Sequence, residues 1–177
     1  PWMVDLARNP VILDAVESLL GPNIMLFGSS MFAKAAQSDR FVSWHQDSAY
    51  YGLKPNDSVT VWLAFTPSNK SNGGLRVLPG SHLGDDLEHD ETYDPKNLLA
   101  KGQTIRGVDD SQAEYLELEP GEFSMHHVRT AHGSLGNFSD DRRIGLAFFY
   151  IGAHVDSTLG RRYQSKEVQQ AAKSGKL

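Results

Sequence analysis

A histidine and an aspartate stand two residues apart in Trp44-His45-Gln46-Asp47. Side chains on an extended segment alternate between faces, so an imidazole at 45 and a carboxylate at 47 converge on one point. One nitrogen and one oxygen donor suit a divalent first-row metal. A second histidine would complete a two-histidine, one-carboxylate face of the kind that holds non-haem Fe(II) and leaves coordination positions open. The tripeptide by itself does not decide the matter, because a polar strand end with a salt-bridged Asp47 has the same sequence. The rest of the chain has to supply the third ligand.

The remaining histidines are His82, His89, His126, His127, His132 and His154. His89 lies in a solvated acidic run, and His82 follows a Pro-Gly turn and reads as a turn residue. His126 and His127 are adjacent, so on a strand only one of them faces inward. His132 precedes Gly133-Ser134, where a missing side chain lets the backbone approach a ligand closely. Arg143 opens an apolar run, and its same-face neighbours Gly145 and Ala147 are small. An arginine beside a hollow suits two-pronged capture of a carboxylate. A surface salt bridge to Asp140 or Asp141 is the competing reading.

Several elements must position these groups. Asn9-Pro10 reads as an N-cap and first helical residue, followed by a broad apolar stripe (Val11, Ala15, Leu19 with Ile12, Val16, Leu20) that ends at Gly21-Pro22. Residues 23–34 are apolar on both faces and read as a buried strand with Lys34 at its end. Residues 58–66 form the clearest strand. One of its faces is Val59, Val61, Leu63, Phe65; the other is Thr60, Trp62, Ala64, Thr66, a single large aromatic among small groups, as a pocket wall requires. A short strand follows at 75–78. The acidic, poorly periodic stretch 83–113 reads equally as a functional lid or a disordered loop. Strand signals return at 115–118, 123–129 and 143–151, and the tail from Arg161 reads as a short helix or a frayed end. Many short strands with turns every ten or so residues argue for an all-β barrel or sandwich with helical cover.

Bulk properties narrow the function classes. A chain of 177 residues, 40% hydrophobic, has the size and apolar content of one domain with a real core. Its net charge of -5 gives no basic footprint for nucleic acid or for an anionic membrane. No run approaches the roughly 20 apolar residues that span a bilayer. The absence of cysteine removes disulfides, thiolate nucleophiles and zinc-thiolate sites, and fits a cytoplasmic protein. The chain starts at Pro1 and enters a helical pattern almost at once, so part of an N-terminal segment is expected to be missing. The oligomeric state is not legible.

Taken together, WHQD at 44–47, VTVWLAFT at 59–66, NGGLRVLPGSH at 72–82, and HHVRTAHGSLGN with Arg143 eleven residues after His132 resemble the phytanoyl-CoA dioxygenase family. Those enzymes are Fe(II)- and 2-oxoglutarate-dependent oxygenases. The resemblance covers about residues 10–155. It implies a double-stranded β-helix, or cupin-like jelly roll, with iron held by His45, Asp47 and His132. It further implies that Arg143 and Ser134 hold the far carboxylate of 2-oxoglutarate, that Trp62 and Lys34 sit beside this co-substrate, and that Gln46 contacts substrate or co-substrate. His127, Ser134 and Asn137 are the expected supports of the ligand histidines. The implied reaction is hydroxylation by O2 of a small metabolite, polar or anionic, with release of succinate and CO2. Asp47 fits hydroxylation, since related halogenases carry a small residue there. Gly28 stands roughly where ectoine hydroxylase has a substrate-binding glutamine. Two other readings are compatible with a jelly roll: a non-catalytic metal or small-ligand binding module, and a cupin-like metal isomerase or hydrolase.

Overall fold

The computed structural model describes residues 2–99 and 101–157. The element expected from Arg161 lies outside them. Two helices, α1 (Trp2–Ala7) and α2 (Pro10–Leu20), lead into β1 (Ile24–Lys34). Asn9 caps α2 as its type requires, its side-chain oxygen accepting from the backbone N–H of Val11 at 2.9 Å while Pro10 occupies the first turn.

Eight strands, β1 among them, build two four-stranded antiparallel sheets. The larger has the order β1, β11 (Arg143–Gly152), β4 (Ser58–Ala64), β9 (Phe123–His127). The smaller has the order β2 (Val42–His45), β10 (His132–Ser134), β5 (Arg76–Val77), β8 (Glu114–Tyr115). Strands close in sequence fall in different sheets, which is the crossing pattern of a double-stranded β-helix. Between β2 and β4 lie the short helix α3 (Ser48–Tyr51) and β3 (Leu53–Lys54), which pairs with β12 (Asp156–Ser157).

Period-two alternation sorts the larger sheet into two faces. Val61 and Leu63 of β4 join Leu146, Phe148 and Tyr150 of β11 on the outer face, where Ile12 and Val16 of α2 cover them. Burying two such side chains contributes about 1.5–3 kcal/mol each, and the Tyr150 hydroxyl donates to Ala7 O at 2.7 Å, fastening α1 to the same face. Thr60, Trp62, Ala147 and Phe149 point the other way, toward the smaller sheet, and form the wall of a cavity. Thus the strand at 58–66 does carry a core face and a pocket face.

Two expectations need correction. The apolar stripe of α2 is narrower than its sequence suggests, with Val11 and Leu19 exposed, because the helix meets the sheet through Ile12 and Val16 with Leu13 and Leu20 partly buried beside them. Residues 23–34 do form a strand, but not a buried one: Met25, Leu26, Phe27 and Met31 are all exposed. β1 is an edge strand paired only with β11, so apolar composition on both faces does not imply cover on both faces.

The stretch 83–113 consists of a hairpin, β6 (His89–Glu91) with β7 (Gln103–Ile105), flanked by 3-10 turns at Ser81–Leu83 and Asp110–Gln112. It docks on β2. Ser43 Oγ donates to Gln103 O at 2.6 Å, Asn97 Nδ2 to Ser43 Oγ at 2.7 Å, and Trp44 Nε1 to Asp110 Oδ1 at 2.6 Å.

Candidate active site

Gly133 sets the site's geometry. A Cβ there would lie 2.8 Å from Val42 O and 3.1 Å from Ser43 O, so only glycine lets β10 close on β2. The closure serves the neighbouring strand, and Gly133 lines the cavity beside the triad as well. This closure places His132 directly opposite His45 in the antiparallel register, with ring centroids 4.1 Å apart. Asp47 is not on the strand. β2 ends at His45, and Asp47 stands in helical conformation at the start of α3, so a turn, and not period-two alternation, returns its carboxylate to the imidazole. His45 Nε2 lies 3.6 Å and His132 Nε2 3.9 Å from Asp47 Oδ1.

The donor atoms of His45, Asp47 and His132 all lie within 4.8 Å of one another, and all three residues are buried. The Nδ1 atoms of both rings point at backbone carbonyls two residues upstream, Ser43 O and Thr130 O, each at 2.9 Å. An N–H at Nδ1 donates to those oxygens and leaves Nε2 as a bare donor atom facing Asp47, the tautomer that metal ligation requires. Thr60 Oγ1 donates to Asp47 Oδ2 at 3.1 Å. Burial disfavours the Asp47 carboxylate, but the His132 and His45 imidazoles overcome this and hold its pKa below the usual range; burial and its histidine neighbours push His132 well below its own. A buried carboxylate and two imidazoles whose Nε2 atoms face it form a donor set that fits a divalent first-row metal.

These supports are not the expected ones. Ser134 accepts from Lys34 Nζ at 2.7 Å, and Asn137 ties its own loop by donating to Asp141 O at 2.8 Å. Backbone carbonyls leave no composition signal, so nothing in the sequence named Ser43 and Thr130 as partners. Thr60 was legible only as a pocket-wall residue.

Next to the triad the cavity, of about 460 Å³, ends in positive charge. Lys34 and Arg143 are cross-strand neighbours, both almost fully buried. Lys34 Nζ donates to Ser134 Oγ and Leu135 O; Arg143 Nη2 donates to Gly73 O at 2.8 Å. Neither pairs with a carboxylate among the described residues, so the salt bridge to Asp140 or Asp141 does not form. Burial, with repulsion from Arg143 and Arg76, lowers Lys34 to a pKa of about 7, and burial brings Arg143 to about 10. Two buried cations lacking a counter-ion make a receptor for an anion. Trp62 lies beneath them, its ring centroid 5.3 Å from the Arg143 guanidinium carbon. Its indole occupies the space at Gly145, where a Cβ would approach Cζ2 to 2.1 Å. The hollow read from the sequence is thus filled by Trp62, and Gly145 exists to admit it.

Gln46 does not join this group. It is fully buried, its Nε2 donating to Arg129 O at 2.7 Å and its Oε1 accepting from Leu87 N at 2.7 Å, and it is not part of the cavity wall. Its backbone N–H donates to His89 Nε2 at 2.9 Å, while His89 Nδ1 pairs with Leu87 O at 2.8 Å. Flanked by two outward-facing contacts, Gln46 fastens the 83–113 stretch to the metal-site turn. His89, read from its acidic surroundings as a solvated residue, is half of that fastening.

Comparison with known proteins agrees with this geometry. The family model for phytanoyl-CoA dioxygenase (PhyH) matches residues 1–145. The chain belongs to the phytanoyl-CoA dioxygenase family. A probable alpha-ketoglutarate-dependent hypophosphite dioxygenase of Stutzerimonas stutzeri is 34% identical over 157 residues, covering 88% of this chain and 54% of the relative. The peroxisomal phytanoyl-CoA dioxygenase of Bos taurus is 32% identical over 152 residues, covering 82% and 44%. Among solved structures, the non-heme monooxygenase ThoJ superposes with a TM-score of 0.79 at 34% identity, over 89% of this chain and 57% of that one. This member of the phytanoyl-CoA dioxygenase family therefore spans about half the length of the curated relatives it matches.

Proposed function

We propose that this chain carries the catalytic centre of an Fe(II)- and 2-oxoglutarate-dependent dioxygenase that hydroxylates a small organic metabolite, releasing succinate and CO2. The observation that carries the reading is a single cavity with a His45, Asp47, His132 donor face beside the unpaired cations Lys34 and Arg143. A metal binder needs only the first, and a carboxylate binder only the second. 2-Oxoglutarate needs both, because it presents a chelating keto acid at one end and a free carboxylate at the other.

In this reading His45, Asp47 and His132 hold Fe(II), with Ser43 O, Thr130 O and Thr60 fixing their orientation. Bound iron supplies the activation of O2, with 2-oxoglutarate as the source of two electrons. Arg143 and Lys34 take the far carboxylate, Ser134 fixes the Lys34 ammonium, and Trp62 supports the guanidinium from below. The 83–113 stretch acts as a lid. Leu98 and Leu99 reach the cavity wall from it, and its bonds to Ser43, Trp44 and Gln46 tie its position to the strand that bears the ligands. Apolar walls from Met31, Phe32 and Phe149 exclude water around the substrate.

No helix among the described residues is long and apolar enough to cross a membrane. With no cysteine in the chain, a cytoplasmic setting is part of the proposal, and so is a small-molecule substrate with no nucleic-acid partner. The direct test is succinate formation from 2-oxoglutarate with Fe(II) and O2. Succinate that requires Fe(II) and is lost in Asp47→Ala supports the reading; succinate formation unaffected by Asp47→Ala contradicts it.

A further inference from the structure

His126 is a polar side chain that the proposed chemistry leaves unused. It is more than nine-tenths buried, lines the cavity, and stacks obliquely on His132 with centroids 4.5 Å apart. Neither ring nitrogen has a hydrogen-bond partner among the described residues. The groups nearest to it are already committed. Thr60, its cross-strand neighbour, donates to Asp47 Oδ2, while the Nδ1 atoms of His132 and His45 face Thr130 O and Ser43 O. His127, next in sequence, faces the other way, toward His82. An apolar residue would fill the same position without leaving two buried polar atoms unpaired, so the imidazole is placed to meet a ligand.

We propose that His126 is a specificity-determining residue of the cavity, hydrogen-bonding a hydroxyl or carbonyl oxygen of the prime substrate. Register separates this group from the cations. His126 pairs with Thr60 at one end of the pocket face of β4, whereas Arg143 lies beyond the Ala64–Gly145 pair at the other. Four residues of strand, roughly 13 Å, lie between those levels. A neutral imidazole presents one donor and one acceptor, which a hydroxyl can satisfy in either sense. The imidazole carries no charge to meet an anion, and the cations Lys34 and Arg143 lie at the far end, so an uncharged oxygen is the matching group. The Tyr50 hydroxyl, beside His45 on the same cavity, is also buried without a hydrogen-bond partner among the described residues and offers a second contact of the same kind. The substrate class is therefore a compact molecule with an apolar body and an alcohol or carbonyl oxygen near the carbon to be hydroxylated. The substrate's identity as a hydroxylation target rests on the oxygenase reading above, and the test is chosen to be separable from it.

The Zn(II)-loaded protein, which cannot turn over, is titrated with benzyl alcohol against toluene and with cyclohexanol against cyclohexane. Binding is followed in every variant by the fluorescence of the tryptophans, among them Trp62 in the cavity wall, and the ring nitrogen resonances of His126, assigned with His126→Phe, report contact with that ring in the unsubstituted protein. Each alcohol is expected to shift those resonances and to bind about fivefold or more tighter than its hydrocarbon, the increment of one buried hydrogen bond. His126→Phe should bind both members of a pair equally, and His126→Gln should keep part of the preference. Alcohols that leave the ring resonances unmoved, or a preference that survives in His126→Phe, overturn the assignment. Intact His126 shifts with no succinate from the Fe(II) protein would overturn the oxygenase reading alone; succinate formed without such shifts would overturn only the role of His126.

Discussion

Replacing Arg143 by alanine should cripple 2-oxoglutarate binding while leaving metal binding intact. The guanidinium is almost fully buried, and its one hydrogen bond among the described residues runs from Nη2 to Gly73 O, so Nε and the remaining N–H groups are available to a carboxylate. A hydrogen bond to a charged group contributes about 1.5–3 kcal/mol, so a two-pronged contact amounts to roughly 3–6 kcal/mol gross. Lys34 stays in reach of the same carboxylate and recovers part of this loss. A net loss near 3 kcal/mol remains, which is about 100-fold in Kd. The assay is anaerobic titration of the Fe(II) protein with 2-oxoglutarate, followed by the visible metal-to-ligand band of the chelate, with Fe(II) affinity measured separately. Fe(II) binding should be unchanged, because Arg143 is not a ligand. A 2-oxoglutarate affinity within about threefold of wild type would refute the carboxylate-receptor argument, whatever the effect on turnover.

Three further outcomes follow from the same geometry. Asp47→Ala removes the only charged donor of the triad and should lower Fe(II) affinity by at least 10–100-fold, the range known for lesser, outer-shell changes, as read by metal titration. Only protonated Lys34 attracts the co-substrate, and its pKa in the free protein is about 7. 2-Oxoglutarate affinity should therefore be highest below pH 7 and fall as pH rises through that value, with proton uptake on binding that is small below pH 7 and approaches one above it, and Lys34→Met should flatten that profile. Gly145→Ala forces a Cβ against the Trp62 indole and should cost about 1–3 kcal/mol in urea unfolding, with weaker 2-oxoglutarate binding because the indole underlies Arg143.

Much of the site was legible because its members carry chemistry in their side chains. His45 and Asp47 stood out by type and spacing, His132 and Arg143 were singled out from their alternatives by the family resemblance, and the strand at 58–66 declared its pocket face through Trp62 among small residues. What stayed hidden was work done by backbone or by tertiary cover. The turn that carries Asp47 looked like strand because His-x-Asp has the same period either way. Gly133 signalled close approach and Gly145 a hollow, but only packing shows that one admits β2 and the other an indole. The β1 residues Met25, Leu26, Phe27 and Met31 have core composition at a sheet edge, and composition alone cannot say what lies beyond an edge. Gln46 and His89 lie in polar surroundings and bond to main-chain groups of distant segments, contacts with no sequence periodicity to announce them.

The most direct test is an anaerobic crystal structure of the protein with Fe(II) and 2-oxoglutarate. The account expects one iron bound by His45 Nε2, His132 Nε2 and an Asp47 oxygen, chelated by the keto acid, with the distal carboxylate on Arg143 and Lys34. Iron bound elsewhere, or a co-substrate whose distal carboxylate faces solvent away from Arg143, would contradict it.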